Sequence, residues 1–280
     1  MHPEIVSIGP LTIRSYGLFL AFGFLAGIVF AAWRARRAGE NPDHFYNMSV
    51  WLVLSALLGS RIYFVATHYD DFRALPGTPL ITRIFVEAKN IFWPVSASGQ
   101  IGINGLVLYG GFFAATAAAA IYLRYYRLSI PRFMDLMAPS LGIGIFFTRI
   151  GCFLNGCCFG EPTDSPFGVC FPPESAAGWY FPGEALHPTQ LYQSFAGIFI
   201  FLALVFIERY KRFDGFTALG FFVLYSLARF IIDFFRFYES NLTFWGLSHN
   251  QLVSIAVFFA AGGLMLIFTV RAGSADRTRS

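Results

Sequence analysis

Long apolar runs separated by short polar stretches set the pattern of this 280-residue chain. Seven runs approach the roughly 20 residues a helix needs to cross a bilayer. They are Ile13 to Trp33, Met48 to Ala66, Gly105 to Leu123, Phe133 to Cys152, Leu191 to Ile207, Thr217 to Phe235 and Leu252 to Val270. The pattern predicts an all-α polytopic membrane protein of about seven transmembrane helices, with an outward-facing head formed by long loops. Those loops are Thr67 to Asn104, which holds the aromatic patch Ile91-Phe-Trp93, and the proline- and glycine-rich Gly160 to Thr189. Neither is long enough for a separate domain. Residues 1–270 are therefore expected as one integral membrane domain and 271–280 as a disordered cytoplasmic tail.

Composition agrees: 56% of residues are hydrophobic, 13% charged, and mean hydropathy is +0.58, far from a soluble domain. The net charge of +4 matters less than its placement. Basic clusters follow alternate spans: Arg34, Arg36 and Arg37; Arg124, Arg127 and Arg132; Arg209, Lys211 and Arg212; Arg271, Arg277 and Arg279. All fall on one side of a seven-span topology, which puts the C-terminus in the cytoplasm and the N-terminus outside. Spread over loops in this way, they argue against a nucleic-acid partner. The first run is not expected to be a cleaved signal, because its basic cluster follows the apolar stretch and no small-residue cleavage motif closes it.

Within the sixth run, Tyr225, Arg229 and Asp233 share one helical face, with Arg236 close to it. Charge inside a span must be paired, reach water or serve a ligand, so this face is the first candidate site. An intramembrane Arg229–Asp233 pair is the purely structural alternative. Arg149 lies near the outer end of the fourth run, where snorkelling to headgroups is also open to it. Arg14 and Arg61 are weaker candidates. Four cysteines, Cys152, Cys157, Cys158 and Cys170, cluster at or beyond the same end. Their spacing lacks the paired C-x-x-C elements of a zinc site, leaving a disulfide or small packing residues around a turn. No phosphate-binding loop or helix-face histidine pair occurs, so neither nucleotide nor metal cofactor is expected.

The most specific stretch is Thr148-Arg-Ile-Gly-Cys-Phe-Leu-Asn-Gly-Cys-Cys-Phe-Gly160, followed by His187-Pro-Thr-Gln-Leu-Tyr192. With Ile13-Arg-Ser-Tyr-Gly17, Leu108-Tyr-Gly-Gly111 and Arg229-Phe-Ile-Ile-Asp-Phe-Phe-Arg236, it resembles the bacterial phosphatidylglycerol:prolipoprotein diacylglyceryl transferases over nearly the whole chain. The family signature, Gly-Arg-hydrophobic-Gly-Asn-Phe-hydrophobic-Asn-Gly, is retained at Arg149, Gly151, Phe153, Asn155 and Gly156.

The resemblance implies a seven-span enzyme of the bacterial inner membrane. It would move the diacylglyceryl group of phosphatidylglycerol to the lipobox cysteine thiol of a prolipoprotein and release glycerol 1-phosphate. Its partners would be that lipid and the signal-peptide and lipobox region. Carried over, the catalytic positions are Arg149, Arg229, His187 and Tyr109, and the substrate-binding positions Tyr16, Asn155, Tyr225, Asp233 and Arg236. A guanidinium stays charged and offers a fork to phosphate oxygens, which suits Arg149 and Arg229 to a phosphate clamp, with Asp233 orienting Arg229 and Arg236 meeting the headgroup. Gln190 and Tyr192 would shape the same mouth.

Two departures bear on mechanism. Much of the family has a histidine, often cast as the base, where this chain has Tyr109; a phenol with an ordinary pKa of about 10 suits hydrogen bonding better, leaving His187 as a candidate base. Cysteines also replace polar positions around the signature. They keep a membrane thiol–disulfide oxidoreductase as one rival reading, beside a lipid-binding or transport protein. The oxidoreductase would need its own cysteines and the transferase would not; a transporter would tolerate loss of the signature.

Overall fold

The computed structural model describes residues 4–8, 11–68, 107–238 and 243–277; the Ile91-Phe-Trp93 patch and nearly all of the first long loop lie outside them. Two short strands, β1 (Glu4–Ile8) and β2 (Leu11–Arg14), precede seven long helices. These are α1 (Ser15–Arg37), α2 (Asp43–Thr67), α3 (Leu108–Tyr125), α4 (Ile130–Asn155), α6 (Thr189–Ile207), α7 (Phe216–Asp233) and α8 (His249–Arg277). Each falls on one of the seven apolar runs. Among the described residues, six helices are long and apolar enough to cross a membrane, and the remaining long helix, α3, has 18 residues. The protein is an all-α polytopic membrane protein. Two ends differ from expectation: α7 stops at Asp233, which puts Arg236 beyond the helix, and α8 carries the helix on to Arg277, into the segment expected as a tail.

The chain forms two compact units. In one, α2 and α3 cross where neither can carry a side chain: a Cβ on Gly59 would lie 2.5 Å from the Gly110 carbonyl oxygen, and one on Gly110 2.4 Å from that of Gly59. Nearer the other end of this pair, His44 Nδ1 and Tyr122 Oη are 3.1 Å apart.

The other unit contains α1, α4 and everything after α4. Helix α4 is its centre, packed on α1, α6 and α7, and α8 packs on α7. Proline in its first turn fits α4's start, and Gly156 in the left-handed region (φ 68°) ends it. The α4–α6 crossing again depends on glycine, since a Cβ on Gly142 or Gly197 would come within 2.7 or 2.8 Å of the opposing backbone oxygen. Ala138, Ile200, Leu204, Ala218 and Phe221 fill the space between α4, α6 and α7. Leu25, Phe195, Phe199 and Phe259 are exposed, as expected of a surface whose solvent is hydrocarbon.

One end of this unit is tied by charge. The Asp135 side chain, 1% exposed, accepts from the Gly215 N–H at 2.8 Å and the Ala218 N–H at 2.9 Å. It thereby caps α7, whose own cap residue, Gly215, has no side chain to offer. Lys211 Nζ lies 3.0 Å from Asp135 and 2.8 Å from Asp214. Arg34, at the end of α1, donates to the Asp135 and Leu136 carbonyls at 2.8 and 2.6 Å and pairs with Glu208. The sequence placed Arg34 in a solvated basic cluster, but it is only 6% exposed. The Asp135 carbonyl, left without its helical donor because Pro139 has no N–H, together with the Leu136 carbonyl and the Glu208 carboxylate, gives it a better place than water, while Arg36 and Arg37 stay exposed.

At the other end, Gly160 to Thr189 is more than a loop. Strands β3 (Val169–Cys170) and β4 (Ala185–Leu186) pair antiparallel, a short helix α5 (Ala176–Tyr180) lies between them, and Phe159, Phe171, Ala177 and Leu186 form a second core. Phe159 stacks on Phe237 at 5.6 Å, which ties this head to the chain just after α7.

Burial opposes the charge on Lys211, but its hydrogen bonds to Asp214 and Asp135 outweigh it and hold its pKa above the ordinary 10.5. A raised lysine pKa adds stability that is whole below 10.5 and is lost as pH rises through the higher folded value. Thermal melting in detergent should therefore show Lys211→Met below wild type by a constant margin at neutral pH, narrowing only in strong alkali. Asp135→Ala, which strips charge-assisted bonds from a buried helix start, should lose at least about 3 kcal/mol in the same measurement.

Candidate functional site

The last turn of α4 and the residues after it build one wall. Gly156 turns the chain back, with its N–H on the Phe153 carbonyl at 3.1 Å and the Cys157 N–H on the Cys152 carbonyl at 3.2 Å. Cys158 is also left-handed, with φ 62°. Three groups then fix the turn from outside: the Ala177 N–H binds the Gly156 carbonyl at 3.1 Å, Gln190 Nε2 the Cys157 carbonyl at 2.8 Å, and Thr189 Oγ1 the Cys158 carbonyl at 3.0 Å. The His187-Pro-Thr-Gln motif is thus first of all a brace for the signature turn. Gln190 is fully buried here, and its Oε1 has no partner among the described residues.

Tyr16, in the first turn of α1, passes beside this wall; a Cβ on Gly151 would lie 3.2 Å from the Tyr16 Cα. Its hydroxyl is within electrostatic range of Arg149 and the cysteines, and the Asn155 amide hydrogen-bonds the Cys157 side chain. All four cysteines are free thiols, so the disulfide considered from the sequence is not formed. The sulfurs of Cys152, Cys157 and Cys158 gather within 4.8 Å of one another, while Cys170 is exposed. Hydrogen bonds from Cys152 and Cys157, together with the positive charges of Arg236 and Arg149, hold the Cys158 thiol far below its ordinary pKa despite its burial.

The second wall is the end of α7 and the segment just beyond it. Arg229 Nη2 lies 3.2 Å from Asp233 Oδ1, confirming the pairing expected of one helical face. The carboxylate also accepts from the hydroxyls of Tyr238 and Ser248. Tyr238 Oη in turn accepts from Arg229 Nη2 and from Asn250 Nδ2, each at 2.9 Å. Burial and the bond to Asp233 raise the Tyr238 pKa, so its hydroxyl keeps its proton. Neither Tyr238 nor Ser248 was singled out in the sequence. A signal for Ser248 was there: Ser248-His-Asn-Gln251 is a capping box, with the Ser248 N–H on Gln251 Oε1 at 2.8 Å and the Gln251 N–H on Ser248 Oγ at 3.1 Å.

Arg236 lies on the extended segment after α7, bridged to Gly160, with its guanidinium 5.4 Å from the Tyr238 ring centre. His187 joins the two walls: its carbonyl accepts the Gly160 N–H at 3.0 Å, its ring meets Phe235 at 5.1 Å, and its Nδ1 lies 3.2 Å from Tyr192 Oη. Tyr225 lies apart from this polar group, stacked on Phe221 at 5.6 Å against the core between helices. Tyr109 is an exposed residue in the first turn of α3, in the unit formed by α2 and α3, and Arg61 of that unit lies 5.7 Å from the Phe64 ring centre.

Three guanidinium groups therefore share this end of the unit: the charges of Arg149 and Arg236 both reach Cys158, and those of Arg236 and Arg229 both reach Tyr238. The half-buried Arg149 and Arg236 guanidiniums have no hydrogen-bond or ion-pair partner among the described residues. Arg229 spends Nη2 on Asp233 and Tyr238, but its Nη1 is buried and unpartnered. Unmatched positive charge and an empty donor in a half-buried setting are what an anion with several oxygens would satisfy. Tyr238→Phe should remove the bridge between Arg229 and Asp233 and lower stability by about 1–3 kcal/mol, whereas Tyr225→Phe should leave the melting temperature nearly unchanged.

Comparison with known proteins bears on what the site does. Residues 3–268 match the family model described as "Prolipoprotein diacylglyceryl transferase". A phosphatidylglycerol–prolipoprotein diacylglyceryl transferase of Synechococcus elongatus is 30% identical, over 99% of this chain and 91% of its own length. Proteins of the same name from Clostridium tetani and Clostridium botulinum are 29% and 30% identical, covering 84% and 91% of this chain and 86% and 92% of their own. With the family model spanning nearly the whole sequence, the chain belongs to the prolipoprotein diacylglyceryl transferase family.

Proposed function

We propose that this protein transfers the diacylglyceryl group of phosphatidylglycerol to the lipobox cysteine thiol of prolipoproteins, forming a thioether and releasing glycerol 1-phosphate. The observation that carries this reading is the anion site of Arg149, Arg236 and the free Nη1 of Arg229. In the reaction the substrate thiol loses its proton, its sulfur attacks the glycerol carbon, and the bond from that carbon to the phosphate oxygen breaks. A phosphodiester of one negative charge thus leaves as a phosphate monoester of two. Arg149, Arg229 and Arg236 keep their positive charge throughout, so they hold the dianion that departs more strongly than the monoanionic lipid that enters. Charge complementarity that grows along the reaction lowers the barrier rather than only tightening binding.

The roles of the other residues come from their places. Asp233 and Tyr238 hold Arg229 in one orientation, and Tyr16 and Asn155 line the side facing the signature turn. An apolar groove of about 170 Å³ between α7 and α8, lined mainly by Leu227, Phe230, Ile255 and Phe258, suits an acyl chain. Tyr225 packs against the core between helices, and Tyr109, which belongs to the other unit, takes its role from the family resemblance alone, as a hydrogen-bonding group and not a base. His187 takes the thiol proton on Nε2, with Nδ1–H donated to Tyr192. The membrane is the bacterial inner membrane, with the N-terminus and the site outward and the C-terminus in the cytoplasm.

Purified protein in phosphatidylglycerol vesicles, given a lipobox peptide, should add one diacylglycerol mass to the peptide's cysteine. A peptide with serine in that position should gain nothing, and addition to it would end the thioether reading. Arg149→Ala and Arg229→Lys, at matched folded protein, should each slow transfer at least about 100-fold. Near-normal turnover in Arg229→Lys would show that a guanidinium anchored through Nη2 and reaching out through Nη1 is not needed. His187→Gln, at matched folded protein, should slow transfer at least about 100-fold, and near-normal turnover would take His187 out of proton transfer.

A further inference from the structure

The cysteines at the signature turn have no part in the transfer chemistry, which takes its thiol from the substrate. Their arrangement is nevertheless specific. Cys152 closes the last turn of α4, and the left-handed Gly156 and Cys158 fold the chain so that Cys157 and Cys158 return to it. Metal sites often gather sulfurs from two separate C-x-x-C elements, but a helix end capped in this way brings three together from a single C-x4-C-C stretch. They lie within 4.8 Å of one another, close to the separation of sulfurs about one small cation. The turn that holds them is fixed beforehand, since its three successive carbonyls are each taken by Ala177, Gln190 or Thr189. A preformed donor set binds without the cost of ordering it.

We propose that Cys152, Cys157 and Cys158 form a binding site for a soft monovalent d10 cation, Cu(I), held by three thiolates. Thiolate sulfur selects soft ions. Zinc prefers a fourth ligand, and the clustered set among the described residues offers three. Charge favours filling the site. The positive charges of Arg149 and Arg236 reach Cys158 and offset part of the negative charge that the three thiolates carry. Each thiol releases its proton to solvent on ligation, and the copper stays in the Cu(I) state throughout.

The test is an anaerobic titration of the reduced full-length protein in detergent with Cu(I), in competition with a chromophoric Cu(I) chelator, followed by X-ray absorption at the copper edge. Wild type should retain one Cu(I) per chain with three sulfur neighbours. Cys158→Ser and the triple Cys152→Ser, Cys157→Ser, Cys158→Ser variant should weaken retention at least about 100-fold, the upper range for loss of a mere outer partner. Cys170→Ser should retain copper as wild type does. Two sulfur neighbours or fewer in wild type, equal retention by the triple variant, or zinc that Cu(I) fails to displace would each overturn the proposal. The sulfur count is taken on wild type, so it stands even where the triple variant does not fold. None of these readouts depends on transfer activity.

Discussion

The buried carboxylate of Asp135 is the contact on which the placement of α7 depends. Helix α7 starts at a glycine that cannot cap it, and the cap comes instead from the side of α4. Because a helix is stiff, fixing its first turn and packing its length against Ala138, Ile200 and Leu204 also fixes its last turn, where Arg229 and Asp233 stand. The same α4 that supplies Asp135 near its start carries Arg149 and the signature turn at its end. Two walls of the site are thus set by one pair of helices, and the distance between them is a property of the α4–α6–α7 core rather than of any loop.

Polar groups in this unit follow a rule that water would not impose. Where hydrocarbon surrounds a helix, an ion is stable only with its counter-charge and donors already in place. Arg34 and Asp135 are satisfied completely in this sense, and so is Asp233, with Arg229, Tyr238 and Ser248 around it. Arg149, Arg236 and one nitrogen of Arg229 break the rule, all toward the same end of the unit. That contrast, more than the presence of arginine in a span, is what makes this end the candidate site.

Much of this was legible in the sequence, because the dominant signals were local. Apolar run length gave the seven helices, and helical spacing gave the Arg229–Asp233 pair. What stayed hidden came from chain reversal. Arg236 looked like the next residue of a helical face until α7 ended at Asp233. Tyr238 and Ser248 join Asp233 only because the chain folds back on the end of α7. Cys152 and Cys158 meet through two left-handed residues that spacing rules do not anticipate. Arg34 counted as one of a basic trio, although its partners are backbone carbonyls and a glutamate far along the chain. The Gly160 to Thr189 segment was read from its prolines and glycines as a loop, but its phenylalanines give it a core of its own.

The Arg34–Glu208 pair also has a meaning for biogenesis. Its two members are separated by 174 residues. A ribosome that has just delivered α1 to the membrane has yet to make most of the chain before the carboxylate exists. Until then its guanidinium can have the Asp135 and Leu136 carbonyls of α4 but not its counter-charge, so the ion pair at the end of α1 can close only once the chain just past α6 is made.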